Sequence, residues 1–139
     1  MFLLDTNVIS ELRRKGRFDA NVYARSQAVP LESLYVSVVT VMEIEQGILL
    51  VGRHDRRQAN SLRSWMTEQF LPRFEARVLA FDTVVALRCA AMHVPDPKPD
   101  RDSMIAATAS VHGLTVATRN VRDFEACGVP VFNPWLYAP

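Results

Sequence analysis

The sequence is poor in cysteine and has no excess of charge of either sign. Cys89 and Cys127 are the two cysteines among 139 residues, and neither has a second cysteine at CxxC spacing. Two isolated cysteines cannot form a disulfide framework and are typical of a reducing cytoplasm. Sixteen basic residues against fifteen acidic ones give a net charge of +1. Bulk charge therefore argues neither for nor against a nucleic-acid partner.

A long hydrophobic run is also missing. The longest apolar stretches, such as residues 36–44, are interrupted by Ser, Thr and Glu and are too short to cross a bilayer. The opening MFLLD has four apolar residues and no basic segment, unlike a signal peptide. Hydrophobic residues still make up 49% of the chain, which is enough for a sizeable core. We therefore expect one cytoplasmic domain over residues 1–139, with no membrane contact.

Short apolar segments alternate with longer segments of helical periodicity. Strands are predicted at residues 2–4, 34–38, 77–81, 114–118 and 129–132. Helices are predicted at residues 8–14, 19–28, 41–51, 56–71, 83–92 and 103–112. The segments between strands are long enough for right-handed crossovers. The pattern therefore predicts an α/β fold in which helices cover both faces of a mostly parallel sheet.

An aspartate directly follows the first predicted strand, in the sequence LLDTN. Asp5 therefore lies at the carboxyl end of that strand, where open α/β sheets bind their ligands. The alternative is that Asp5 only caps the helix that follows, since Asp, Thr and Asn are all good N-caps.

Glu43 follows the second predicted strand. Thr40 and Glu43 have capping-box spacing, so Glu43 could serve only to reach back to the Thr40 amide. Against this, Gly47 lies one turn further along the same face, and a helical glycine costs about 1 kcal/mol relative to alanine. We interpret Gly47 as leaving space beside Glu43.

Asp102 begins a buried helical stripe. It shares one helix face with the apolar residues three, four and seven positions later. A carboxylate at the head of such a stripe is costly unless a partner neutralises it, which favours a functional role. Capping of the first turn is a partial alternative, although Asp100 or Ser103 could do this instead.

A last polar group follows the fourth predicted strand. Thr118 and Asn120 lie at the end of that strand, and Asp123 is expected to begin a short helical turn. Capping of that turn is the alternative role of Asp123.

These acids converge if the strand order reverses beside the first strand, because ligands bind at such a switch point. Carboxylates in one crevice repel and raise one another's pKa, and a divalent cation relieves that conflict. Oxygen ligands without His or Cys favour Mg²⁺ or Mn²⁺ over zinc. The three histidines lie outside these segments.

Four motifs in this order resemble those of PIN-domain ribonucleases. They are MxLLDTNVISE at 1–11, TxxEIxxG at 40–47, DxxIAATA at 102–109 and VATRNxxDF at 116–124. More narrowly, the chain is similar to VapC-type toxins of bacterial toxin–antitoxin pairs, and the ending GVPVFNPW resembles the FitB-like branch. The resemblance covers essentially the whole chain. It implies a sheet of order 3-2-1-4-5, Mg²⁺-dependent RNA cleavage, inhibition by a cognate antitoxin, and homodimerisation.

The resemblance also implies the site. Asp5, Glu43 and Asp102 fall on the family's first three acidic positions, and the fourth lies at Asn120 or Asp123, because members differ. We expect Asp5 and Asp102 to bind metal and Glu43 to bind it or hold the water. Asp123 would bind metal directly or through water. The residues expected to support this set are Thr6, Asn7, Thr118 and Asn120.

Basic residues flank these motifs and could contact RNA phosphates, although solvated helix ends and loops explain each of them equally well. They are Arg13, Arg14, Lys15 and Arg17 after the first helix, Lys98 and Arg101 before Asp102, and Arg119 and Arg122 in the last motif. The helix at 56–71 carries large aromatics that leave apolar area for a partner groove.

The expected function is a Mg²⁺-dependent endoribonuclease acting as the toxin of a type II pair, in an assembly that could bind operator DNA. A non-catalytic partner that binds promoter DNA with its antitoxin is the main alternative. A phosphatase or a DNA nuclease would use the same metal chemistry. The retained acids favour the enzyme.

Overall fold

A central sheet of five parallel strands organises the structure, a computed structural model that describes residues 1–14 and 16–138. Lys15, from the predicted basic segment, and Pro139 lie outside the described residues. The strands are β1 Phe2–Leu4, β2 Leu34–Ser37, β3 Val78–Leu79, β4 Thr115–Ala117 and β5 Val131–Phe132. Their order is β3-β2-β1-β4-β5, and every pairing is parallel. The predicted fold class and strand order are confirmed.

Helices connect the strands. They are α1 Thr6–Arg13, α2 Ala20–Gln27, α3 Val38–Val51, α4 Arg56–Trp65, α5 Leu71–Phe74, α6 Thr83–Met92, α7 Asp100–His112 and α8 Val121–Glu125. A π-helical segment, Met66–Phe70, joins α4 to α5, and short 3-10 turns lie at Leu31–Ser33, Glu75–Arg77 and Pro134–Leu136. None of the helices in the described part of the chain is long and apolar enough to cross a membrane.

Side-chain caps set several helix starts. The Asp19, Asp55 and Asp82 carboxylates each accept a hydrogen bond from a first-turn amide of α2, α4 and α6. Gly113 ends α7 with φ of +67°, a conformation that favours glycine. Capping by Asp82 and termination at Gly113 agree with the sequence.

Alternating strand residues build two cores. Leu4, Val36 and Ala117 face one side of the sheet and pack with α1 to α5. Leu3 and Val116 face the other side and pack with α7 and α8. The first core includes Phe70, which stacks on Trp65 with ring centroids 5.4 Å apart.

Several predicted boundaries were wrong. Helices α1, α3 and α7 begin two or three residues earlier than expected, because each starts almost directly at the end of the preceding segment. The predicted strand 77–81 shrinks to two residues, since Arg77 belongs to a 3-10 turn and donates to the Leu34 carbonyl at 2.6 Å. The helix predicted at 56–71 continues to Phe74 through the π-helical segment.

Candidate active site

Asp5 lies where β1 ends, beside the end of β4. The strand order reverses here, and the pairing of Leu4 with Ala117 brings the two carboxyl ends together. Asp5 is 4% exposed; Oδ1 accepts a hydrogen bond from the Thr6 amide and Oδ2 accepts one from Thr118 Oγ1, both at 2.7 Å. Burial raises the pKa of Asp5, and these two hydrogen bonds oppose the rise. Asp5 therefore does cap α1, and the two hydrogen bonds hold its carboxylate at the switch point between β1 and β4.

Glu43 lies inside α3, and the alternative role of completing a capping box with Thr40 was wrong. Helix α3 begins at Val38, and its cap is Ser37, whose Oγ accepts a hydrogen bond from the Val39 amide at 3.0 Å. Thr40 is therefore already inside the helix, where it cannot be the cap that Glu43 would complete.

Instead, the Glu43 carboxylate is held by contacts from two other helices. Thr6 Oγ1 lies 2.7 Å from Glu43 Oε1 and 3.1 Å from Thr40 Oγ1. A hydroxyl has one hydrogen to donate, so Thr6 donates to the carboxylate and its oxygen can accept from Thr40. On the other side, Arg101 Nη1 is 3.7 Å from Glu43 Oε2. Thr40 and Arg101 thus belong to the surroundings of Glu43, and neither contact could be read from sequence spacing.

Asp102 carries the strongest electrostatic perturbation of the site. Its pKa is raised to about 6, first by burial and then by the charges of Asp5, Asp123 and Glu43. The neighbouring Asp123 carboxyl raises the pKa of Asp102 through its proximity as well as its charge. The four acids predicted from the sequence therefore lie within electrostatic reach of one another.

The two alternative caps for α7 were wrong. Pro99 occupies the cap position without a side-chain hydrogen bond, so neither Asp100 nor Ser103 caps the helix. Ser103 Oγ instead donates to the Asp100 carbonyl at 2.7 Å and contacts His93 Nε2 at 3.0 Å. Because nothing caps this first turn, its free amides favour a negative charge such as that of Asp102 nearby.

The last motif supplies both support and a carboxylate. Thr118, fully buried, donates to Asp5 and accepts from the Asn120 amide at 2.9 Å and from Asn7 Nδ2 at 3.4 Å. Asp123 is the third residue of α8 and does not begin it; Asn120 occupies the cap position with an exposed side chain. Of the two candidates for the fourth position, Asp123 is therefore the one whose charge acts on Asp102 and raises its pKa.

The predicted basic residues have different surroundings. Arg13 lies 6.0 Å from the Trp65 ring centroid, Arg119 lies 4.9 Å from that of Trp135, and Arg14 pairs with Glu11 at 3.4 Å. Arg122 is exposed on α8. Asp5, Glu43, Asp102 and Asp123 form the acidic cluster. Among the predicted basic residues, Arg101 is the one that contacts this cluster directly, through Glu43.

The acidic cluster fits a hard divalent cation by ligand type and charge. Its side chains offer oxygen atoms alone, the donors that Mg²⁺ and Mn²⁺ prefer, and their mutual repulsion raises the pKa of Asp102. Within residues 1–14 and 16–138, no three Asp, Glu, His or Cys side chains already stand close enough to hold a metal ion. The carboxylates would have to draw together around a cation to complete its coordination.

The chain is similar along nearly its whole length to proteins of one known family. The profile of the PIN domain matches residues 2–128. Toxin FitB of Neisseria gonorrhoeae is 40% identical over 140 residues, which cover 97% of this chain and 99% of that protein. VapC ribonuclease Y4jK of Sinorhizobium fredii is 38% identical over 140 residues, covering 97% and 98%. A solved structure of FitAB bound to an IR36 DNA fragment matches with a TM-score of 0.89 and 38% identity, covering 100% of this chain and 99% of that one.

Proposed function

This chain belongs to the PIN-domain family, in the branch that includes toxin FitB, and from that premise we propose that it is a divalent-metal-dependent endoribonuclease acting as the toxin of a type II toxin–antitoxin pair. The observation that carries the proposal is the convergence of four acids from separate segments at the switch point between β1 and β4. After burial, the charges of Asp5, Asp123 and Glu43 raise the pKa of Asp102. The relative named as a VapC ribonuclease supports RNA as the substrate.

In the proposed mechanism, Asp5 and Asp102 hold Mg²⁺ or Mn²⁺, and Asp123 completes the set directly or through water. The bound cation supplies Lewis acidity at the phosphodiester and lowers the pKa of a water molecule. Glu43 would orient the attacking water and accept its proton, as the water oxygen bonds to phosphorus and one ester oxygen of the phosphodiester leaves. Oε2 is the oxygen assigned to that task, because Thr6 donates to Oε1 at 2.7 Å whereas Arg101 lies at a longer 3.7 Å from Oε2. Thr118 fixes Asp5 through its hydroxyl.

The proposed protein partner is a cognate antitoxin. A groove of about 550 Å³ with a mixed polar and apolar lining runs between α1, α2 and the α4–α5 segment, and Leu12, Phe18, Tyr23 and Phe74 are among its large apolar and aromatic walls. The similarity to FitAB bound to DNA supports a two-protein complex that binds operator DNA. We assign the antitoxin to this groove; full neutralisation of a folded Tyr23→Glu variant would count against the assignment.

A second copy of the chain is the proposed homodimer partner. Val84 and Leu87 share one face of α6 by their spacing and are 58% and 69% exposed, and Val94 just beyond the helix is 75% exposed. Large exposed apolar side chains on and next to one helix favour an interface. Light scattering should give a dimer mass for the wild type and a monomer mass for Leu87→Glu; a wild-type monomer would refute the dimer.

The central experiment is cleavage of a mixed RNA substrate by purified protein with Mg²⁺, with Mn²⁺, and with excess EDTA. Cleavage is expected with either metal and should disappear in EDTA, because oxygen ligands alone cannot supply the Lewis acidity. The Asp102→Asn variant, purified in parallel by the same procedure, controls for contaminating nuclease. Cleavage that persists in EDTA, or is equal in Asp102→Asn, would contradict the proposal. Operator binding by a protein that never cleaves RNA would favour the non-catalytic alternative.

A further inference from the structure

A cavity of about 200 Å³ adjoins the acidic site between α1, α3 and α4. Thr6 and Glu43 belong both to the acidic site and to the rim of this cavity. Its walls are largely apolar, with Ile48 and Leu62 among them and Trp65 as the aromatic member. A group bound in this cavity would therefore lie next to the Glu43 carboxylate, which we propose activates the water.

Gly47 keeps this cavity open. Glycine inside a helix is unfavourable by about 1 kcal/mol relative to alanine, so its presence in α3 calls for a reason. Packing does not supply one, because a Cβ at Gly47 would meet no described atom within 4 Å beyond its chain neighbours and the backbone of its own helix turn. The left-handed conformation does not supply one either, since Gly47 is not among the glycines of positive φ. What the missing side chain preserves is the space beside Glu43, as the sequence pattern predicted.

The lining selects the chemistry of the occupant. Apolar walls and an aromatic ring favour a flat apolar surface, and Ser10, Thr6 and Arg13 add hydrogen-bonding groups at the edge. Glu43 would repel a phosphate but not an uncharged group. The volume is smaller than the 300–1,000 Å³ typical of pockets for drug-sized ligands, so it suits one planar ring system. Unpaired RNA bases have these properties and bind proteins by stacking on aromatic rings and guanidinium planes.

Trp65 and Arg13 provide such planes. The Arg13 guanidinium carbon lies 6.0 Å from the Trp65 ring centroid, at the outer limit of a cation–π contact. The flexible Arg13 side chain can move away from Trp65 to admit a base between them. The Trp65 ring itself is held in place by stacking on the Phe70 ring.

We propose that this cavity is a subsite for one unpaired nucleobase next to the scissile phosphodiester, with Trp65 and Arg13 as its stacking surfaces and Gly47 as the residue that leaves it open. The inference rests on the proposed ribonuclease function. In this proposal, residues of α1, α3 and α4 determine which base is preferred at one position beside the cut. The acids that perform the chemistry do not set this preference.

The test is to fill the cavity and map where RNA is cut. Gly47→Leu projects a side chain into it, Ser10→Leu fills it from an exposed position on α1, and Gln46→Leu adds the same side chain to α3 outside the cavity as the control. Each variant digests a randomised RNA in Mg²⁺ under single-turnover conditions, and the fragment ends are sequenced. The Mg²⁺-induced shift in melting temperature is measured in parallel to verify the acidic cluster.

We expect Gly47→Leu and Ser10→Leu to lose roughly tenfold or more in kcat/KM, the scale of one lost base–aromatic stack. The base preference at one position beside the cut should flatten, while the Mg²⁺-induced shift persists and Gln46→Leu behaves as wild type. If Gly47→Leu does not fold, Ser10→Leu decides the matter.

Three results would overturn the subsite. These are unchanged rate and preference in folded cavity-filled variants, a uniform loss of rate with the preference intact, and unchanged cleavage with loss of antitoxin binding alone. The last would assign the cavity to the protein partner. Absence of cleavage by the wild type would instead reject the proposed function, so the two failures are distinguishable.

Discussion

The two halves of the acidic site are held in different ways. Asp5 and Glu43 accept hydrogen bonds from threonine hydroxyls at 2.7 Å, from Thr118 and Thr6 respectively. Asp102 and Asp123 lie in the first turns of α7 and α8, and the charge of Asp123 is one of those that raise the pKa of Asp102. The short hydrogen bonds that hold the first half come from neutral donors, whereas the second half consists of two neighbouring acids of like charge.

This difference determines where a cation would act. Burial raises the pKa of Asp5, but hydrogen bonds from Thr118 and Thr6 partly offset the rise. For Asp102 every cause acts in the same direction, and the pKa reaches about 6. Hydrogen bonds to the charged form stabilise it, while burial and like charges do not. The first half is therefore preorganised without metal, and the second half gains most from neutralisation.

The largest expected effect is on cleavage. Asp5→Asn and Asp102→Asn each remove one negative ligand, so each should reduce RNA cleavage at least ~100-fold, in line with losses of several kcal/mol of electrostatic stabilisation. The two changes should differ in stability. Asp102→Asn relieves repulsion at pH 7 and should raise the metal-free melting temperature. Asp5→Asn turns an amide hydrogen toward an existing donor and forfeits a charge-assisted bond of about 1.5–3 kcal/mol, so it should gain nothing or lose.

Melting curves without metal and cleavage assays with Mg²⁺ measure both quantities on the same preparations. Equal melting shifts for the two variants would contradict the distinction between the halves. Cleavage by either variant at the wild-type rate would remove that residue from the site.

The pH dependence of stability gives a smaller effect. The folded pKa of Asp102 is about 6, above the unfolded value of about 3.9, so the folded protein binds more protons between these values. Stability contributed by the protonated group is present below pH ~4 and is lost as pH rises through about 6. Asp5, whose pKa is also raised, acts in the same direction.

Chemical denaturation in EDTA from pH 4 to 7.5 measures this, with Asp102→Asn as the matched control. The difference in unfolding free energy between the wild type and this variant should change in that window and level off above it. Mg²⁺ should stabilise the wild type more at pH 7 than at pH 5, because protons compete for the ligand. A difference that is flat across the window would show that Asp102 titrates normally.

The periodicity of apolar residues predicts most strands and helices of the fold, but it does not predict the residues at which they begin and end. The five strands and the long helices are visible as apolar segments of different period. The start of α3 is hidden, because strand β2 passes directly into helix at Ser37 and Val38 without a turn residue. The two-residue β3 is hidden as well, since its length depends on pairing with a single neighbour, β2, at the sheet edge.

For the site, the sequence identifies the acids but not their partners. Asp5 is visible because it directly ends a strand, and Asp102 because it heads a buried stripe. Their convergence depends on strand order, which came from the family resemblance and not from spacing. The choice of Asp123 over Asn120 requires the position of α8 beside α7. The contact of Arg101 with Glu43 joins residues 58 positions apart on two helices, and such a contact is fixed by tertiary packing alone.

The smallest expected effect tests this contact, because Arg101 links the two halves of the site. It precedes Asp102 on α7 and lies 3.7 Å from Glu43, with side chains 42% and 24% exposed. Pairs this open contribute about 0–1 kcal/mol, so Arg101→Gln should barely change stability.

Its charge should matter more, in opposite senses for the two ligands. Mg²⁺ should bind more tightly at low salt, because a competing cation has left Glu43. Single-stranded RNA should bind more weakly, and the slope of log K against log salt should become shallower by about 0.7, the value for one lost phosphate contact. Titrations with wild type, Arg101→Gln and the exposed Arg57→Gln on α4 as control separate these effects. A loss of affinity for both ligands would mean that Arg101 positions Glu43 and does not contact RNA.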